Sequence, residues 1–195
     1  MTLVHQIIPA EFTEFLTYWH SLPKVEGQGI PLKADFNPAS VIHMLPSIFL
    51  MDALEESDLN IRLAGTKIEE LLPIQLQNKK WRELFDNEAE YMVKDLTNMI
   101  FNQKVGLFVV REIHMGNVVE YLKSILLPFL GPQHDMQFII GLSNAEDVLK
   151  RNYNQTANLQ VTNHKVVYSE TVDIGFGKLD WRYQVDGIPQ QLQSA

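Results

Sequence analysis

The chain has 195 residues, of which 46% are hydrophobic, and its 24 acidic and 16 basic residues give a formal net charge of -8. This length allows one domain with extensions and a core of ordinary size. Because the charge is negative and there is no dense run of Lys or Arg, we expect no nucleic-acid ligand. No apolar stretch approaches the length of a membrane span and residues 1–8 lack the pattern of a secretion signal, so we expect a cytoplasmic protein.

The chain contains no cysteine. This excludes disulfides, thiolate zinc sites, cysteine-ligated iron–sulfur clusters, cysteine nucleophiles and cysteinyl adducts to a chromophore. The six histidines form no i, i+4 pair, and no Gly-x-Ser-x-Gly motif is present. We therefore predict no metal site and no catalytic residue.

The first predicted element is a helix over residues 9–22. Phe12, Phe15, Leu16 and Trp19 have the i, i+3, i+4, i+7 spacing of one helical face, and Pro23 closes the segment. We expect this stripe to pack on the outer face of a sheet or on a second copy of the chain, which would form a homodimer. After a loop, Asn37 and Pro38 are predicted to cap a short helix.

The next hundred residues are predicted to fold as two strands, several short helices, one long helix and a three-stranded meander. A capping box of Thr66 and Glu69 is expected to start one short helix. The predicted strands are residues 48–53, 59–64, 105–115, 118–129 and 136–142, with the long helix over residues 87–104.

These elements divide the chain into three parts. Residues 1–46 form a helical extension, residues 47–146 form the sheet domain, and residues 147–195 form a C-terminal extension. The last part contains one more predicted strand, over residues 164–172. The predicted class is α+β.

Four segments resemble the PAS domain family, and more narrowly its PAS_5 branch of small standalone bacterial proteins. They are residues 62–66 (RLAGT), 34–38 (ADFNP), 45–50 (LPSIFL) and 126–128 (LLP). The resemblance implies a five-stranded antiparallel sheet with helices over one face and a small cavity between the long helix and the sheet. The N-terminal helix would cover the other face. Pro73 and Asn78 stand where the family has glycines, and Asn tolerates the left-handed backbone that glycine usually supplies.

The resemblance also suggests which residues line a ligand site. Haem-binding relatives commonly offer a histidine from the long helix, which has none here, and Met92 and Met99 are interpreted as core packing. Haem, a cysteinyl flavin and an iron–sulfur cluster are therefore disfavoured, and the cofactor is left unknown. The candidate ligand-binding residues are Arg62, Trp81, Met92, Leu96, Met99 and Arg111.

Arg62 and Arg111 each lie in a predicted strand and allow two interpretations. An inward guanidinium could grip an anionic ligand. The favoured interpretation is an ion pair on the sheet surface with a residue such as Glu112 or Glu120, since buried charge is rare.

Three functions remain open. The first is a sensory module of bacterial signal transduction that binds a small organic ligand or a signalling protein and acts through a separate partner. The second is a small α+β enzyme with a polar pocket, and the third is a ligand-free dimerisation scaffold. The predicted function is binding rather than catalysis.

Overall fold

The structure is a computed structural model that describes residues 9–55, 58–72, 75–81, 89–152, 161–177, 179–187 and 189. Three short 3-10 helices lie at Lys33–Asp35, Pro38–Val41 and Leu45–Ser47. The other elements are α1 (Ala10–Ser21), β1 (Ile48–Glu55), β2 (Asp58–Ala64), α2 (Thr66–Leu71), α3 (Ala89–Asn102), β3 (Gly106–Met115), β4 (Val118–Leu130), β5 (Met136–Ser143), α4 (Ala145–Asn152), β6 (Val161–Val172) and β7 (Arg182–Gln184).

All described strands belong to one antiparallel sheet in the order β2-β1-β5-β4-β3-β6-β7. The predicted α+β class and sheet are confirmed, with seven strands where the resemblance implied five. The two added strands follow residue 146. β6 pairs with β3 along its length, from Gly106 opposite Val172 to Met115 opposite Val161.

Side chains alternate between two cores along each central strand, because successive residues of a strand point to opposite faces. In β3, Leu107, Val109 and Ile113 join the core beneath α2, α3 and α4. Phe108 and Val110 join the core beneath α1. The sheet is therefore buried on both faces.

The α1 stripe packs on the sheet of its own chain. Phe12, Phe15 and Trp19 are at most 1% exposed, and the Trp19 indole Nε1 donates a hydrogen bond of 3.0 Å to the carbonyl oxygen of Pro128. Leu16 is partly buried against the same core. The first of the two predicted arrangements is present, and a homodimer through these side chains would require α1 to leave its own sheet.

Several local predictions can be compared with the structure. Asn37 caps the helix at Pro38–Val41, as predicted, and Asn78 has a φ of 64°. The capping box is wrong, because Gly65 is the N-cap residue of α2 and no side chain caps it. The helix α4 was missed because its polar composition hides a buried face formed by Ala145, Val148, Leu149 and Asn152. Pro73 lies outside the described residues.

Candidate functional site

A small cavity of about 20 Å³ lies between α3 and the inner face of the sheet. This volume is on the scale needed to hold a water molecule or a few non-hydrogen atoms. Most of the lining is apolar, and three side chains with hydroxyl or guanidinium groups interrupt it. The lining residues are Met51, Leu59, Trp81, Leu96, Thr97, Ile100, Val109, Arg111, Ser124, Leu126, Ile139 and Val166.

Arg111 reaches this cavity because of its position in β3. It is in phase with Leu107, Val109, Ile113 and Met115, all of which are buried in the core beneath α3. The period of two therefore directs Arg111 to the same face. Its residue exposure is 4%, so the charge is inside the protein.

The guanidinium of Arg111 makes only weak polar contacts with the described residues. Its Nη2 donates a long hydrogen bond of 3.4 Å to Ser124 Oγ, and its buried Nε has no hydrogen-bond partner among the described residues. Its Cζ lies 5.1 Å from the centre of the Trp81 ring, within cation–π range. Burial lowers the pKa of Arg111 to about 10, which leaves the group positive at neutral pH.

Residues 78–80 run along the outer edge of β2 and position Trp81. The Ile61 amide donates to the Lys79 carbonyl (2.9 Å) and the Asn78 amide donates to the Ile61 carbonyl (2.7 Å). The Trp81 ring then stacks on Phe49 with centroids 6.0 Å apart and planes at 19°. The Trp81 ring, which lines the cavity, is thus held by Phe49 behind it and by the sheet edge.

The structure brings together three of the six candidate ligand-binding residues: Trp81, Leu96 and Arg111 line the cavity. Met99 packs against the same core without lining the cavity. Met92 belongs to α3, but its side chain lies outside the described part of the structure. Arg62 is about half exposed and its Nε donates to Asp52 Oδ2 at 2.6 Å.

The favoured interpretation of the two arginines is wrong for Arg111. Glu112 points to the opposite face of the sheet, where it pairs with His114 and Lys165. Glu120 pairs with Arg151 at 3.0 Å. Arg62 does form an ion pair, but with Asp52 of the neighbouring strand.

Sequence reasoning missed two polar residues of the lining. Ser124 lies two residues from both Leu122 and Leu126 in β4 and points to the same face, which is the inner face of the sheet. Thr97 follows Leu96 on α3 and is 1% exposed. The signal for both was a small polar side chain within an otherwise apolar periodic pattern.

The fold is that of a small α+β sensor domain, with a cavity enclosed between a long helix and an antiparallel sheet. The PAS domain model named PAS_5 matches residues 9–144, and the chain belongs to the PAS domain family. PAS domains are sensory and signalling modules, and membership supports that general role here. Among the described residues, no helix has both the length and the apolar character that crossing a bilayer requires.

The solved structures that resemble this chain include the following two. One is the PAS domain of a protein from Colwellia psychrerythraea, with 12% identity and a TM-score of 0.39, covering 54% of this chain and 93% of that chain. Another is an RNA-binding light-oxygen-voltage receptor, with 13% identity and a TM-score of 0.41, covering 70% of this chain and 40% of that one. No curated protein matches the sequence.

Proposed function

We propose that this PAS domain is a sensor for a small organic anion, which binds in the cavity beneath α3 with its carboxylate on Arg111. The bound state is passed to a separate signalling partner. The observation that carries the proposal is the buried guanidinium, which has no carboxylate partner among the described residues.

Charged side chains are almost never fully buried unless they are paired, because leaving water costs several kcal/mol. Arg111 has a weak bond to Ser124 and the face of Trp81, and neither neutralises its charge. A ligand carboxylate would supply the missing partner through charge-assisted hydrogen bonds to the guanidinium.

The size and lining of the cavity restrict the ligand. A free volume of about 20 Å³ suits only a small molecule. The aliphatic side chains of Leu96, Ile100 and Ile139 favour an apolar carbon body, while Ser124 and Thr97 add hydroxyl groups near its polar end. Acetate, with four non-hydrogen atoms, comes closest to these requirements, and longer carboxylates such as propionate would need the lining side chains to move apart.

A thermal-shift comparison tests the proposal. Acetate should raise the melting temperature of the protein, while the neutral amide of the same size, acetamide, should not. Arg111→Met should abolish the shift. Arg62→Met is the matched control, because Arg62 lies outside the cavity, and it should keep the shift. Equal shifts with acid and amide, or a shift that survives in Arg111→Met, would refute the proposal.

The enzyme alternative has less support. PAS domains are typically sensory rather than catalytic. The described lining contains no Asp, Glu or His, so it offers no general base of the usual kind. The scaffold alternative is also weakened, because the α1 side chains expected at a dimer interface pack on their own sheet.

A further inference from the structure

A second, larger cavity lies on the opposite face of the sheet. Its volume is about 510 Å³, within the range of small-molecule sites. The two cavities use neighbouring residues of the same strands: Met51 and Ile139 line the first, and Leu50 and Ile140 line the second. One thickness of the sheet separates them, so the second cavity is not part of the site beneath α3.

The floor and walls of this second cavity are apolar. Ile48, Leu50, Phe129 and Ile140 form the floor on the sheet. The remaining apolar lining comes from the chain between α1 and β1 and from the end of β2: Phe36, Pro38, Ile42, Leu45, Pro46, Leu63, Ala64 and Gly65. Ile42 is 68% exposed and Leu63 is 49% exposed, and both are large side chains that a ligand would cover.

The polar groups of the lining are few. Among the described residues of the lining, Lys33 and Thr66 alone have polar side chains, and Lys33 alone is charged. Within the described part of the chain, Lys33 forms no ion pair and no hydrogen bond through its side chain. An apolar body with a single cation at its margin is complementary to an amphiphile that ends in an anionic group.

The walls are held in place before any ligand arrives. Tyr18 Oη accepts from the Asn37 amide at 2.7 Å, and the Phe36 ring makes edge contacts with Tyr18 and Phe129 at 5.9 and 6.2 Å. On the other side, the Gly65 amide donates to the Ile48 carbonyl at 2.8 Å. A site that is already formed loses little free energy to ordering when it binds.

We infer that this second cavity binds an amphipathic aliphatic carboxylate, with its chain over the sheet floor and its carboxylate at Lys33. Octanoate is the probe, and 1-octanol is the neutral molecule of matched chain length. The inference does not depend on the ligand proposed for the cavity beneath α3.

Titration calorimetry of the full chain tests it. We expect one saturable octanoate site. Lys33→Glu should weaken octanoate binding about fivefold and leave octanol binding unchanged, as expected for loss of an exposed ion pair. Leu63→Gln should weaken both ligands about tenfold by removing apolar contact. Val119→Gln is the matched control, since Val119 is 47% exposed and distant from the lining, and it should bind both ligands normally.

Five results would overturn the inference. These are the absence of saturable binding, an equal effect of Lys33→Glu on octanoate and octanol, and an equal loss in Leu63→Gln and Val119→Gln. The fourth is loss of octanoate binding in Arg111→Met, which would place octanoate beneath α3. In parallel, light scattering should show no concentration-dependent dimer. A dimer that Leu63→Gln abolishes would mean that a second copy of the chain covers the second cavity, and it would also overturn the inference.

Discussion

Replacing Arg111 by Met should stabilise the ligand-free protein. Burial lowers the pKa of Arg111 from its ordinary value to about 10, and a shift of that size corresponds to roughly 3 kcal/mol against the charged form. The cation–π contact with Trp81 returns up to about 2 kcal/mol, and the 3.4 Å bond to Ser124 is too long to add much. Met fills similar space without charge, so we expect a net gain of about 1 to 2 kcal/mol.

Urea unfolding, followed by tryptophan fluorescence, measures this difference. At neutral pH the midpoint of the Met variant should lie above that of the wild type with an unchanged slope. The gap should depend on pH. Since the folded-state pKa of Arg111 lies below the unfolded one, the wild type carries the full penalty below about pH 10 and is relieved of it as pH rises further.

The stabilities could also come out in the opposite order. A Met variant less stable than the wild type by about 1 kcal/mol or more would mean that Arg111 is held by a strong partner in the ligand-free protein. Such a result would refute the argument for a ligand carboxylate. Arg62→Met separates the two cases, because Arg62 is half exposed and paired with Asp52, so its loss should lower stability.

Three further predictions concern stability. Gly65→Ala should cost about 1 to 3 kcal/mol in unfolding free energy, because a Cβ at position 65 would lie 2.3 Å from the Pro46 carbonyl oxygen. Trp19→Ala should cost about 3 to 5 kcal/mol by calorimetry and should not change the mass measured by light scattering. Glu120→Gln should lower stability at pH 7 by about 1 kcal/mol, and the difference from wild type should vanish as pH falls through the folded-state pKa of Glu120. Burial alone would raise the pKa of Glu120, but hydrogen bonds led by that from Arg151 outweigh it and hold the pKa below 4.5, so the stabilisation disappears on protonation.

Gly65→Ala and Trp19→Ala each have a matched control. A Cβ at Gly27 would meet no atom within 4 Å, so Gly27→Ala should cost only the backbone strain of a φ of 73° and should destabilise the protein less than Gly65→Ala. Thr13 is exposed on α1, and Thr13→Ala should resemble the wild type. If Trp19→Ala kept its stability but changed its oligomeric mass, the stripe would be an interface rather than core. A Glu120→Gln effect that persists at low pH would contradict the ion-pair explanation.

Much of the sheet could be predicted from the sequence because local signals agree with tertiary structure there. The Gly116-Asn117 turn and the apolar runs on either side predict β3 and β4, and the structure places them as a hairpin from Met115 opposite Val118. By contrast, β7 has only three residues, and its pairing with β6 is the main signal for it. A strand that depends on its neighbour rather than on its own composition cannot be predicted from local pattern.

The motif that carried the family resemblance has a physical explanation in the structure. Gly65 has an ordinary φ of -69°, so backbone freedom does not require glycine there. The requirement is space, because the backbone of Leu45 and Pro46 occupies the volume of a Cβ at this position. The sequence identifies the glycine, but only the packing of two distant segments explains it.

The prediction that Arg111 lies on the sheet surface is wrong, and the phase of β3 indicates its true position. The general rarity of buried charge favoured the surface, whereas the phase of β3 favoured the interior, since Leu107, Val109, Ile113 and Met115 all alternate with residues of the other face. Phase is a property of this strand, and rarity is an average over all proteins. A charge placed in the apolar phase of a strand is therefore a sign of function, because most chains avoid its cost. If Arg111→Met is more stable than the wild type but its melting temperature no longer rises with short-chain carboxylates, the stability that the wild type loses through Arg111 is evidence of selection for binding.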